Sequence, residues 1–221
     1  MNLNSLNTIT LFSIFSLCWC LIALAVQVYL SKKRRSGSYR YQEYSIKNDS
    51  AKYDSAFKAI IYNFTKAMSP FYKESAKLYP VKFFIGLVMH LGIFCSFIYF
   101  FLLIIISPSI LILPLQLLHF FGFFFLLTSM AAVVLLINRV TNIELKEISN
   151  FDDYFSITMM ICFLASISLN LFGVVSNNVV LAITSFVFLY VPFGKLRHVV
   201  FFFLVRVDFA KKMGHRGVYP L

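Results

Sequence analysis

Long runs of apolar residues, separated by short polar stretches, dominate the pattern of this 221-residue chain. A helix crosses the hydrocarbon core with about 20 mostly apolar residues, because each residue advances about 1.5 Å through a layer about 30 Å thick. Strands of a membrane barrel would be shorter and would alternate apolar with polar residues. The pattern therefore predicts an all-α membrane protein with five transmembrane helices in one integral membrane domain, residues 1–221. The five runs are Thr8–Leu30, Lys82–Ile106, Leu111–Ile137, Tyr154–Val175 and Val179–Val205.

The composition agrees with a membrane protein and excludes other classes. Hydrophobic residues make up 60% of the chain and charged residues only 13%, whereas soluble domains hold about 25% charged residues. A net charge of +11 would suggest nucleic acid only if a basic face lay on a polar body. We therefore expect a lipid bilayer as the partner, no nucleic acid, and a multi-pass protein of the cell (cytoplasmic) membrane.

The positions of the basic residues predict the orientation, because short loops rich in lysine and arginine stay in the cytoplasm. Twelve of the twenty basic residues lie between Lys32 and Lys82, two lie between the third and fourth spans, and six lie from Lys195 onwards. We expect the N-terminus outside and the C-terminus inside. The cytoplasmic parts are then a basic segment, residues 31–80, and a tail, residues 206–221.

A short amphipathic helix is predicted within the basic segment. Asp49 or Ser50 can cap its start. Apolar residues recur at helical spacing, and lysines fall on the opposite side; the residues are Ala56, Ile60, Ile61 and Phe64 against Lys52, Lys58 and Lys66. Such a helix suits either a membrane surface with anionic lipid or a cytoplasmic partner, and both interpretations remain open.

Two histidines lie at a similar depth of the predicted membrane. His90 is about two turns into the second span, and His198 is near the cytoplasmic end of the fifth, which runs the other way. An ionisable side chain inside a membrane requires a partner and indicates a function. Two imidazoles at one level on two helices are what a bis-histidine haem requires. The alternative is that each histidine makes an interhelical hydrogen bond.

Basic side chains flank both histidines. Lys195 and Arg197 lie beside the histidine of the fifth span, and Lys82 precedes that of the second. All three are candidates for pairing with haem propionates. Gly92 would let the macrocycle approach the helix backbone. No span carries an acidic residue in its interior, which disfavours a proton pathway or a transporter.

The other candidate residues have less specific interpretations. His119, near the outer end of the third span, can hydrogen-bond a quinol, support a second haem, or bond to backbone or water at the interface. His215 is interpreted as an ordinary surface histidine. The four cysteines all lie within spans and are interpreted as packing residues, since cysteine metal sites use closely spaced groups from loops.

A motif before the last histidine resembles a family of membrane cytochromes. Residues 191–198 read Val-Pro-Phe-Gly-Lys-Leu-Arg-His and resemble the proline–phenylalanine–small–basic–x–x–histidine signature of the nitrate reductase gamma subunit family. That family includes the membrane subunits of heterodisulfide reductase and of dissimilatory sulfite reductase-associated complexes. Further segments at residues 68–76, 89–93, 135–139 and 150–154 resemble the family in the same order and direction.

The resemblance implies b-type haem and electron transfer between a quinone- or methanophenazine-type carrier and a cytoplasmic iron–sulfur subunit. By position, His90 and His198 match the axial ligands of the haem nearer the cytoplasm. Many members hold a second haem nearer the outside. Here Phe100 occupies the matching place on the second helix, and Val179–Val187 contains no histidine. We therefore expect one haem b, with a second only if His119 supports it.

Together these observations predict the electron-transfer subunit of a membrane oxidoreductase complex, either quinol-oxidising or quinone-reducing. The basic segment and the tail after Arg206 would dock the iron–sulfur partner. No catalytic residue is assigned. The alternative function is a haem-free membrane anchor that tethers a soluble redox complex, which the missing second ligand pair would also fit.

Overall fold

A computed structural model describes residues 8–38, 56–106 and 114–213, and these residues are helical with no β-strand among them. The expected all-α class is therefore confirmed. The predicted cap at Asp49 or Ser50, the start of the third span at Leu111, and His215 lie outside the described residues. The helices are α1 (Thr8–Ser38), α2 (Ala56–Phe64), α3 (Glu74–Leu78), α4 (Pro80–Ile106), α5 (Leu115–Thr141), α6 (Ile143–Glu147), α7 (Phe151–Leu171), α8 (Asn177–Tyr190) and α9 (His198–Met213).

Four of these helices, α1, α4, α5 and α7, are long and apolar enough to cross a membrane. The number rises to five if α8 and α9 count as one broken span. Each of the four overlaps its predicted apolar run, and α1 continues beyond Leu30 into the basic residues that follow. The length and composition of the helices are those of a multi-pass membrane protein.

The apolar run predicted as the fifth span is divided into two helices. α8 ends at Tyr190, and α9 begins at His198 after a 3-10 turn. Pro192 has no backbone N–H and therefore interrupts the helical hydrogen-bond ladder. The N–H groups of Phe193 and Gly194 turn back to the Tyr190 carbonyl, at 2.9 and 3.1 Å. With 14 residues, α8 rises only about 21 Å, less than the hydrocarbon core of about 30 Å.

The chain forms two compact units. The first comprises Met1–Ile22 and Phe84–Leu196, and the second comprises Ala23–Phe83 and Arg197–Leu221. The first unit therefore contains α5 to α8 with the beginning of α1 and most of α4. The second contains α2, α3 and α9.

In the first unit, α5 packs along α7 through small residues. Gly122 and Ala132 of α5 and Ser168 of α7 are buried, and Ser168 Oγ donates a hydrogen bond to the Gly122 carbonyl at 2.9 Å. Small residues let membrane helices approach closely, and hydroxyl groups form bonds between them. The neighbouring side chains of Phe163 and Ile167 are fully buried.

Aromatic rings of α4, α7 and α8 form the middle of the same unit. The ring of Phe97 lies 5.8 Å from that of Phe163 and 5.9 Å from that of Phe188. The fully buried Phe100 meets Phe188 edge-to-face at 5.0 Å. Such arrangements are the favourable ones for aromatic pairs, so rings rather than polar groups fill this region.

In the second unit, α2 packs against α9. Ala59 and Asn63 form the buried side of α2, and the ring of Phe64 stacks on Phe203 at 5.8 Å. The guanidinium of Arg206 donates from Nε and Nη2 to the Asn63 carbonyl, both at 3.1 Å. A helix is thus present in the predicted place, but its covered side is that of Ala59 and Asn63, and Ile61 of the predicted apolar side is 46% exposed. Lys66 lies in the 3-10 turn after the helix, and Lys52 lies outside the described residues.

Candidate haem-binding residues

His90 lies in the third turn of α4 with an exposed ring. Its Nδ1 is 2.7 Å from the carbonyl oxygen of Gly86, one turn earlier on the same helix. A carbonyl oxygen only accepts hydrogen bonds, so Nδ1 carries the proton of the neutral ring and Nε2 carries the lone pair. Metal-binding histidines commonly donate their second ring N–H in this way. With Nδ1 held by this hydrogen bond, Nε2 is the ring nitrogen that remains for a ligand.

The surroundings of His90 are apolar. Leu87, Leu91 and Phe94, within one turn of it on α4, are each at least half exposed. Within the described part of the chain, no hydrogen bond to Nε2 of His90 is present. An exposed imidazole nitrogen among apolar side chains can accept a ligand from outside the protein.

His198 is the first residue of α9, and its side chain is exposed. It follows the 3-10 turn Lys195–Arg197. His198 belongs to the second compact unit and His90 to the first. Each histidine is thus exposed within its own unit.

Lys195, predicted as a propionate partner, binds a carboxylate of the protein. Its Nζ lies 2.5 Å from Oδ2 of Asp153, and Nη1 of Arg139 lies 2.9 Å from Oδ1 of the same side chain. Asp153 also forms a reciprocal cap with Asn150, whose N–H donates to Oδ2 at 3.0 Å. Asp153 therefore joins the end of α5, the start of α7 and the connection after α8.

The adjacent Asp152 holds the same connection through different atoms. The backbone N–H of Lys195 donates to Oδ2 of Asp152 at 2.8 Å. The hydroxyl of Tyr190 binds Oδ1 of Asp152 and lies 2.9 Å from Ser156 Oγ. We call Arg139, Asp152, Asp153, Tyr190 and Lys195 the charged cluster. Sequence reasoning did not assign this cluster, although an Asn-x-x-Asp capping box at Asn150 was a readable signal.

The other two candidate propionate partners are exposed. Arg197 lies in the 3-10 turn before α9. Lys82 lies in the first turn of α4, with Nζ 5.2 Å from the ring centre of Tyr79. Neither side chain forms an ion pair with a residue that the structure describes. Both remain able to bind an anionic group.

His119 is half-buried on α5, and its ring lies 5.8 Å from that of Phe172. A polar network lies at the end of α7: the Tyr99 hydroxyl donates to Oδ1 of Asn170. Nδ2 of Asn170 lies 2.8 Å from both Oδ1 of Asn177 and the Val175 carbonyl. These polar groups satisfy one another, and none of these bonds involves His119.

Two positions bear on the space for haem along α4. Phe100 occupies the position that, by the resemblance, would carry a ligand of a second haem. Its ring is fully buried against Phe188. Gly92 serves helix packing instead of leaving room for a macrocycle, because an added Cβ would lie only 2.6 Å from Cγ2 of Thr128 on α5. The expectation that Gly92 faces a haem is therefore replaced by a role in the α4–α5 contact.

Other metal ligands are not clustered. Over residues 8–38, 56–106 and 114–213, no group of three or more His, Cys, Asp or Glu side chains could hold a metal ion. A haem with two axial imidazoles does not require such a group. The four cysteines carry free thiols.

Comparison with known proteins gives no relative: no family model, no curated protein and no solved structure matches this chain.

Proposed function

We propose that this chain is a b-type cytochrome membrane subunit with His90 and His198 as axial haem ligands. The proposal rests on the hydrogen bond and the exposure of His90. Its Nδ1–H is bonded to the Gly86 carbonyl at 2.7 Å, and its Nε2 lone pair is exposed on an apolar helix surface. His198 supplies the second imidazole at the end of the segment that resembles the family signature.

The charged cluster joins three of the segments on which the resemblance was based. Three of the segments that resemble the nitrate reductase gamma subunit family contribute Arg139, Asp153 and Lys195. Arg139 and Lys195 both bind the Asp153 carboxylate, at 2.9 and 2.5 Å respectively. These three segments therefore meet at one carboxylate.

The donor set suits a haem b. Bound between two imidazoles, this group supplies reversible one-electron transfer without an open coordination position for substrate. Nε2 of His90 and the imidazole of His198 would hold the iron. The exposed Arg197 would bind a propionate, whereas Lys195 is engaged by Asp153.

The proposed physiological role is electron transfer between a membrane quinone-type carrier and a cytoplasmic iron–sulfur subunit. The distribution of basic residues supports an N-outside, C-inside orientation in the cytoplasmic membrane. The iron–sulfur subunit would dock on the basic segment and the tail, where most of the positive charge of the chain lies. Haem b is the expected cofactor, at one per chain.

The test is a dithionite-reduced minus air-oxidised spectrum of the detergent-purified protein, with haem quantified per chain. We expect one b-type haem in the wild type and none in His90→Ala or His198→Ala. His119→Ala is the matched control, since it removes a third histidine of the helices and is expected to keep its haem. All variants are compared at equal purity and equal helical content.

Normal haem content in both His90→Ala and His198→Ala would falsify the ligand assignment. Loss of haem in His119→Ala alone would assign a different pair. A wild-type protein that lacks haem after purification with its partner subunits would instead support the haem-free anchor.

A further inference from the structure

The chain between α2 and α4 exposes large apolar side chains. We call residues 66–82 the lysine–aromatic segment. Phe71 is 78% exposed, and the exposed group also includes Tyr72, Leu78, Tyr79 and Val81. Keeping so much apolar surface in water is unfavourable, and several exposed apolar side chains in one short segment suggest an interaction site.

The same segment carries unneutralised positive charge. It contains four lysines, at positions 66, 73, 77 and 82, and one acidic residue, Glu74. None of the four lysines forms an ion pair with a residue that the structure describes. Three of them lie over aromatic rings: Lys66 over Tyr72 at 4.9 Å, Lys73 over Phe83 at 5.5 Å and Lys82 over Tyr79 at 5.2 Å. A cation–π contact positions an ammonium group without cancelling its charge.

The position of the segment beside a span favours the membrane as its partner. It runs directly into α4, whose apolar span begins at Pro80, so Tyr79 and Lys82 lie within one turn of the point where the chain enters the hydrocarbon. Aromatic side chains favour the headgroup level of a membrane, and lysines beside a span bind the phosphates of anionic lipids. A protein partner would have to displace lipid from these residues.

We propose that the lysine–aromatic segment binds anionic phospholipid headgroups in the leaflet from which α4 starts. Its rings lie at the headgroup level, and its four lysines bind lipid phosphates. This surface requires no haem and is independent of the proposed redox function.

Native mass spectrometry of the detergent-purified full chain tests the proposal. The protein is incubated with equal amounts of phosphatidylglycerol and phosphatidylcholine, and the retained lipids are counted. We expect the wild type to prefer phosphatidylglycerol. We expect Lys66→Gln, Lys73→Gln, Lys77→Gln and Lys82→Gln combined to lower that preference at least fivefold, since one lysine near an anionic surface changes partitioning by about fivefold.

Two further variants control for charge and for folding. The same four lysines changed to arginine keep the charge and are expected to keep the preference. Phe71→Ser with Tyr72→Ser leaves all four lysines in place and is expected to lower total lipid retention about threefold or more. Each variant must elute from size exclusion as the wild type does and keep its helical circular dichroism.

An unchanged phosphatidylglycerol preference in the glutamine variant would overturn the proposal. It would also be overturned if that variant kept its lipid but lost a co-purifying protein, because the surface would then belong to a protein partner.

Discussion

Lys195 and Asp153 form an ion pair, Nζ to Oδ2 at 2.5 Å, although 42 positions separate them in the sequence. Asp153 is almost buried, with only 8% of its side chain exposed, and it also binds Arg139 at 2.9 Å. The Asp153 carboxylate therefore joins the end of α5 and the start of α7 to the connection after α8.

Asp153→Asn should destabilise the first unit. The amide removes the negative charge and leaves Arg139 and Lys195 without their partner, while the hydrogen bonds that cap α7 are weakened. Because both basic side chains are partly exposed, we expect a loss of about 2 kcal/mol, below the range for a fully buried pair. Thermal unfolding in detergent, followed by circular dichroism, measures it.

Glu147→Gln is the matched control for that change. Glu147 is exposed on the short helix α6, so its neutralisation should alter stability by less than about 0.5 kcal/mol. Equal unfolding temperatures for the two variants would show that the charged cluster contributes no stability.

Gly92→Ala should loosen the contact between α4 and α5. The new Cβ would lie 2.6 Å from Thr128 Cγ2, so one helix must shift, at a cost of about 1–3 kcal/mol. Gly86→Ala is the control on the same helix, since nothing lies within 4 Å of its added Cβ. The unfolding temperatures of the two variants are compared, and that of Gly92→Ala should be the lower. If Gly92 instead faced a haem, Gly92→Ala would lower haem content without lowering the stability of haem-free protein.

Phe100→Ala should cost much more stability than Phe101→Ala. Phe100 is fully buried against Phe188, whereas its neighbour Phe101 is 42% exposed. Truncating a buried phenylalanine leaves a cavity and costs about 3–5 kcal/mol. The free energies of unfolding of both variants are measured by denaturation in the same detergent. Similar losses would indicate that the ring of Phe100 does not fill a packed core.

Arg206→Gln should release α2 from α9 in the second unit. The guanidinium makes two bonds to the Asn63 carbonyl, and hydrogen bonds from charged groups contribute about 1.5–3 kcal/mol each. Limited proteolysis of residues 56–64 should become at least threefold faster. Arg197→Gln, which removes an exposed arginine outside this contact, should leave the rate unchanged. An equal rate in both variants would contradict a holding role for Arg206.

The four continuous spans could be predicted because their signal is local. Each helix of the group α1, α4, α5 and α7 is specified by its own apolar run, and insertion of that run requires no knowledge of the neighbouring helices. The division of the last apolar run into two helices could not be predicted from hydropathy. Apolar residues continue on both sides of Pro192, so hydropathy reports the length of the run and not the continuity of the helix.

The candidate site was only partly predictable. The histidines, Lys82 and Arg197 could be selected as candidates because ionisable residues are rare in apolar surroundings, and their roles stay predictions. The pairing of Lys195 with Asp153 was not, because spacing in one sequence does not reveal which distant charges meet. The prediction for Gly92 was wrong for the same reason. A glycine indicates that another group packs closely against the helix backbone, but only the three-dimensional structure identifies that group as Thr128.

The hydrogen bond between His90 and Gly86 has a consequence for biogenesis. Both partners belong to one helix, so the imidazole takes its tautomer and orientation as soon as that helix has formed. No second helix is needed for this step. The nitrogen proposed to bind iron is therefore oriented by α4 itself, with no hydrogen bond from another helix required.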